Sequence, residues 1–254
     1  MGISIQIMQK QKTIESILDF QTDSMPPFWR EPLFKCYPFL DKEKGFYPPF
    51  QIRKDYLTQT LSHFYTQNYQ ALLEKQKLFS EHLKHNQKQL LPVFNNIFNI
   101  DCKPIFETTL IEISLNPICP RYLNEKRFTI FFKFGPEQFL NTVIHELIHF
   151  VWFFIWQKQF NDSSNEYESP HLKWILSEMV VDTLVKNTEL NQFYRIRGNE
   201  TPAYSYFYDM HIQNKPVLDI LSLFFKQSKE ITLFMEKAFQ YILTYENEIR
   251  KQMP

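Results

Sequence analysis

Two histidines and a glutamate stand at a spacing that can do chemistry. His145-Glu146-Leu147-Ile148-His149 is an H-E-x-x-H motif. On an α-helix four residues advance about 400°, so His145 and His149 share one face, a turn apart. Two imidazoles at that separation can bind one Zn²⁺. Glu146 projects about 100° from His145, where a general base acting on a metal-activated water should stand. The surrounding sequence predicts a suitable host helix. Gly135-Pro136-Glu137 reads as a helix start, with Pro at the first helical position and Glu in the first turn. From there to about Gln157 the pattern is apolar nearly all round, as in a buried helix. Glu146 is the one Asp, Glu, Lys or Arg between Phe139 and Gln157. Burying such groups without partners costs roughly 2–7 kcal/mol each, so the motif should serve a purpose.

The remaining composition excludes other chemistries. The chain has 254 residues, a formal net charge of +0, three Cys, four Gly and 26 Phe. The glycines, at 2, 45, 135 and 198, are too far apart for G-x-G-x-x-G or a P-loop. Cys36, Cys102 and Cys119 form no C-x-x-C knuckle. Three cysteines cannot all pair, which favours a reducing compartment. Charge neutrality argues against a nucleic-acid partner. No signal-peptide pattern opens the chain. The strongest apolar run, Leu147 to Trp156, is too short to span a bilayer. A cytoplasmic location without a membrane span is therefore expected. The sequons at Asn161 and Asn199 carry no weight without a secretory signal.

The motif and its surroundings resemble the zincin metallopeptidases. In the metzincin pattern Gly and His would fall at 152 and 155, where this chain has Trp152 and Ile155. The gluzincin branch instead places a Glu on a following helix, with an acidic residue four positions later. Glu178, 29 residues past His149, and Asp182 fit that order and share a helical face. The resemblance implies that His145, His149 and Glu178 bind zinc and that Asp182 orients His145 from behind. His171 is the rival third ligand. The resemblance covers roughly residues 128–182. It also implies a strand, Arg127 to Phe134, whose edge can align an extended peptide, and a Tyr or His that stabilises the oxyanion. Tyr167, Tyr204, Tyr206, Tyr208 and His211 are candidates for that role. His211 is preferred because Asp209 could orient its ring. A deformylase-like alternative fails because its glycine-rich motif cannot be built from these four glycines.

The elements that must position this constellation predict an α+β, mostly helical fold: a zincin-like core with a small sheet and an active-site helix, flanked by helical segments. Residues 1–100 form a helical N-terminal region. It includes a helix over Met8–Phe20 and a Pro- and aromatic-rich segment, 26–49, that excludes a long helix. Another helical stretch covers Asp55–Leu83, and Pro92 opens a further short helix. His82 and His85, among lysines, read as a solvated face. Residues 101–190 form the catalytic core, with period-two strands at Ile111–Leu115 and Phe128–Phe134. A second core helix starts at Ser169-Pro170. Residues 191–254 form a helical C-terminal subdomain, irregular at first and rich in Tyr.

These features point to a zinc-dependent peptide-bond hydrolase acting on a peptide or protein substrate, with Glu146 as general base. The alternative is a catalytically inactive scaffold in which zinc stabilises a protein-interaction module, with segment 26–49 as its arm.

Overall fold

Where apolar residues alternate, the chain forms strands, and elsewhere it is dominated by helices. The computed structural model describes residues 2–196 and 201–253. Gly198 and the sequon Asn199 lie outside the described residues. The elements, in chain order, are β1 (Ser4–Ile7), α1 (Lys10–Asp19), α2 (Pro27–Cys36), α3 (Lys42–Gly45), α4 (Phe50–Gln67), α5 (Tyr69–Phe98), α6 (Lys103–Thr108), β2 (Leu110–Ser114), β3 (Arg121–Tyr122), β4 (Arg127–Phe131), α7 (Pro136–Phe160), α8 (Leu172–Asn187), α9 (Ser205–Tyr208), β5 (His211–Ile212), β6 (Lys215–Pro216), α10 (Val217–Gln227), α11 (Ile231–Thr244) and α12 (Glu246–Arg250). The fold is α+β and mostly helical. The chain forms two units, one of residues up to His85 with Glu107–Phe139, the other of Asn86–Phe106 with the residues from Leu140 onward.

The first unit is built on a four-stranded sheet of order β1-β2-β4-β3. β1 and β4 flank β2 in parallel, with Ile5 opposite Ile111 and Ile113 opposite Ile130. β1 is a strand that the sequence reading placed in no element. Its four residues leave only Ile5 and Ile7 as a period-two signal. β4 ends at Phe131, before the expected Phe134, because Phe134 N–H turns back to the Phe131 carbonyl. β4 is also not an edge. β3 covers it antiparallel at Arg127 and Phe128, and Thr129 N–H donates to the Pro120 carbonyl. Peptide addition along this stretch is therefore blocked.

The proline-rich segment folds into the short helices α2 and α3, with Pro27 at a helix start and Pro32 inside the first. Its ring Tyr37 is fully buried, and its hydroxyl donates to the Leu115 carbonyl at 2.6 Å. His82 is not solvated as expected. It is half-buried, with its ring 6.4 Å from that of Phe139. Within the sheet, buried Glu112 accepts from Arg127 at 3.0 Å and from Gln6 at 2.9 Å. Arg127 also packs its guanidinium 3.6 Å over the Tyr122 ring.

In the second unit, α5 does not restart at Pro92. It passes straight through to Phe98. Pro92 deprives the Lys88 carbonyl of its intrahelical donor, but Lys88 is exposed, so water can replace it. Leu90, Phe94 and Phe98 keep one face buried, which holds the helix together across the proline. α7 runs three residues beyond the expected end. It is long and apolar enough to cross a bilayer, but 83% of its most apolar window is buried inside the fold. α8 starts at Leu172 rather than at Ser169-Pro170, with His171 as its N-cap. From Trp174 to Val185 every residue of α8 is buried. Trp152 of α7 is fully buried, with its ring edge-on to Phe234 of α11 at 5.9 Å.

Arg127→Met should destabilise the protein by about 3–5 kcal/mol, because it leaves Glu112 buried without its cation. Urea denaturation should show that loss. It should also show much of it recovered in the double variant with Glu112→Leu, where no buried charge remains.

Candidate metal centre

Burial of α7 and α8 puts the polar side chains of both helices where they must satisfy one another. His145 Nε2 lies 2.9 Å from His149 Nε2 and 3.2 Å from Glu178 Oε2. His149 Nε2 lies 3.4 Å from Glu178 Oε1. Among the described residues this is the one group of three His, Cys, Asp or Glu side chains close enough to hold a metal ion. Around a tetrahedral cation with bonds of about 2.0–2.1 Å, ligand atoms are separated by roughly 3.3–3.4 Å. The three observed edges are close to that separation. His171 is exposed at the N-cap of α8 and does not belong to the group.

The protonation pattern fits the same purpose. His145 Nδ1 lies 3.2 Å from the Pro202 carbonyl. A carbonyl only accepts, so Nδ1 carries the hydrogen, and in the neutral ring Nε2 is then the atom with the lone pair. That lone pair meets a carboxylate oxygen and a second imidazole nitrogen. Three electron-rich atoms converging in a buried place require positive charge between them, either a metal ion or added protons. Burial alone would push the Glu178 carboxyl upward. When protons supply that charge, a protonated His149 and hydrogen bonds donated by the His145 and His149 rings outweigh burial and hold Glu178 well below the usual carboxylate range. Glu178 is therefore the ionised partner.

Access is one-sided. The His149 side chain is 0% exposed and that of Glu178 4%, whereas that of His145 is 21% exposed. Glu146, next along α7, is buried.

Asp182 lies on the same α8 face as Glu178, one turn on, and is 1% exposed. Its partners differ from expectation. It accepts from the Tyr208 hydroxyl, and Lys186 Nζ lies 2.9 Å away. The atom that orients His145 is thus the main-chain carbonyl of Pro202. Asn141, one turn before His145, makes a reciprocal pair with Arg195. Its Nδ2 donates to the Arg195 carbonyl at 2.7 Å and its Oδ1 accepts from Arg195 N–H at 2.8 Å. Arg195 and Pro202 are therefore tied to successive turns of the stripe that carries the two histidines.

His211 is not brought to this centre. It is exposed in β5, and its Nδ1 lies 2.9 Å from the Asp209 carbonyl, not the Asp209 carboxylate. Tyr206 lies near enough for the charge of Glu178 to act on its phenol. Burial raises its phenol far above the ordinary value, and the charge of Glu178 raises it further. Tyr206 therefore stays protonated beside the carboxylate, stacked on Tyr204 at 5.4 Å. Of the other candidates, Tyr208 is engaged by Asp182, and the Tyr167 hydroxyl lies 3.4 Å from Asp162. The thiols do not compete as nucleophiles. Burial pushes Cys36 up and, together with Asp101, pushes Cys102 up to about 12. Comparison with protein-family models, with curated proteins and with solved structures finds no match.

Removing the Tyr208 hydroxyl takes one of two partners from buried Asp182. Tyr208→Phe should therefore lower unfolding free energy by about 1–3 kcal/mol, measured by urea denaturation.

Proposed function

We propose that this chain is a zinc-dependent peptide-bond hydrolase of gluzincin type, with a zincin-like core formed around α7 and α8. The observation that carries the reading is the meeting of His145 Nε2, His149 Nε2 and the Glu178 carboxylate at tetrahedral spacing, with the His145 ring held in the ligating tautomer. Two imidazoles and one carboxylate suit zinc, which in catalytic sites keeps a further position open. Bound there, zinc would polarise a substrate carbonyl and lower the pKa of water towards about 7.

The protein's own residues do the rest. His145 and His149 each offer Nε2, and Glu178 offers its ionised carboxylate. The Pro202 carbonyl keeps the His145 ring from turning or changing tautomer. Glu146 takes the proton from the attacking water and passes it to the leaving amine. The hydrogen-bond donor to the developing oxyanion is Tyr206 rather than His211, because Tyr206 is protonated, half-buried and coupled to Glu178. The partial exposure of His145 gives a peptide or protein substrate its side of approach.

Purified protein should contain about one zinc per chain by elemental analysis. Glu146→Gln should keep that metal while peptide-library cleavage falls by about 10²–10⁴-fold. Zinc at 100 times its dissociation constant should stabilise the chelator-treated protein by about 2.7 kcal/mol, read as a rise in Tm. A protein that neither contains nor takes up metal overturns the proposal. Zinc without hydroxamate binding or hydrolysis would instead support a metal-stabilised interaction module.

A further inference from the structure

The second unit holds a pocket that the metal centre does not use. It measures about 460 Å³ and is lined by Trp156 and Phe160 at the end of α7, Asp162 and Lys173 around the following loop, and Glu236 and Phe239 on α11. That volume lies within the range of small-ligand sites, roughly 300–1,000 Å³. The three rings are inclined rather than stacked. Trp156 meets Phe160 at 5.0 Å and 48°, and Phe239 at 5.1 Å and 81°. In a tilted or edge-on pair one ring's edge can cover one face of the other, but the remaining faces are not covered by that partner, and a ring face carries the negative end of the aromatic quadrupole.

The charges around these rings sum to a negative excess, with one ammonium among three carboxylates. The Lys173 ammonium lies 2.6 Å from Asp162 and 2.6 Å from Glu166, so one positive charge is shared between two carboxylates. Burial would raise Asp162, but hydrogen bonds from Lys173, Ser163 N–H and the Trp156 side chain outweigh it and keep the carboxylate ionised. Glu236, exposed on α11 at the pocket's edge, adds a third carboxylate. Lys173 itself sits 6.0 Å from the Phe239 ring centre, at the margin of cation–π range. The pocket thus combines aromatic faces with an excess of negative charge.

We propose that this pocket binds a methylated ammonium group, seated on Trp156, Phe160 and Phe239 with Glu236 at its rim. A quaternary ammonium is weakly hydrated and apolar at its surface, so it loses little on leaving water and gains from the ring faces. An anion is repelled by the carboxylates. A neutral molecule of the same shape gains no electrostatic attraction. The group can arrive on a small molecule such as choline or on a trimethyl-lysine side chain of a peptide. The binding site is independent of the metal reading, since none of its residues is a proposed ligand.

Isothermal titration of the full chain tests this. Choline and a trimethyl-lysine peptide are titrated separately, and their relative affinities identify the source. At least one should bind saturably. The uncharged isostere 3,3-dimethylbutanol should bind roughly tenfold more weakly, and 3,3-dimethylbutyrate should not bind. Glu236→Gln, on an exposed position, should weaken binding several-fold, about 3–10 times. Phe239→Leu, on a half-buried ring, should weaken it about tenfold and keep the fold by circular dichroism. Chelator treatment should leave the affinity unchanged, which separates failure here from failure of the zinc reading. Equal binding of dimethylbutanol and choline, or no saturable binding of either cation, overturns the proposal.

Discussion

The hydrogen on Nδ1 of His145 governs the chemistry of the whole cluster. Because the Pro202 carbonyl can only accept, that hydrogen is fixed, and so is the direction of the lone pair on the opposite nitrogen. A freely turning imidazole could satisfy Glu178 and His149 by rotation or by shifting its proton. A ring held from behind cannot. The buried face between α7 and α8 then gathers two imidazole nitrogens and a carboxylate, and positive charge among those atoms, from protons or from an ion, is what reconciles them. The rest of the unit supports this arrangement. Asn141 ties Arg195 to the turn of α7 before His145, and Asp182 with Tyr208 ties α9 to the turn of α8 after Glu178.

Burial and reactivity are consequently two aspects of one design. An α8 with every residue from Trp174 to Val185 buried would be destabilised by two carboxylates unless each had a specific partner. Glu178 has the two imidazoles, and Asp182 has a phenol and an ammonium. The residues of the candidate centre are also those that make the helix interface admissible. Their side chains are therefore held in place by the packing of the two helices themselves.

Much of this was legible in the sequence because helical spacing carries it. The i, i+4 pairs His145/His149 and Glu178/Asp182, each inside an apolar run, fix which side chains share a face. The structure brings His145, His149 and Glu178 together as that pattern requires. The partner of His145 was not legible, because a main-chain carbonyl has no residue-type signature, and Asp182 was the natural reading from its position. Tyr206 was visible only as one of several aromatics in a Tyr-rich stretch. Its selection over His211 depends on how α9 packs, which no local period encodes. β1 was too short to announce itself. α5 overran Pro92 because burial of Leu90, Phe94 and Phe98 outweighed a local breaker.

The unequal exposure of the two histidines has a kinetic meaning. His149 and Glu178 are sealed, and His145 alone reaches the surface. His145 would be the ligand most open to exchange, and its Nδ1 is latched to the chain at the Pro202 carbonyl. Exchange would therefore be a local opening of one side chain and its latch, not an unfolding of the helices, and its rate would follow the mobility of that short stretch. Thermodynamic affinity and exchange rate would then be set by different parts of the molecule. For a bound ion, His149 and Glu178 would set the affinity, and the latch on His145 would set the rate of exchange.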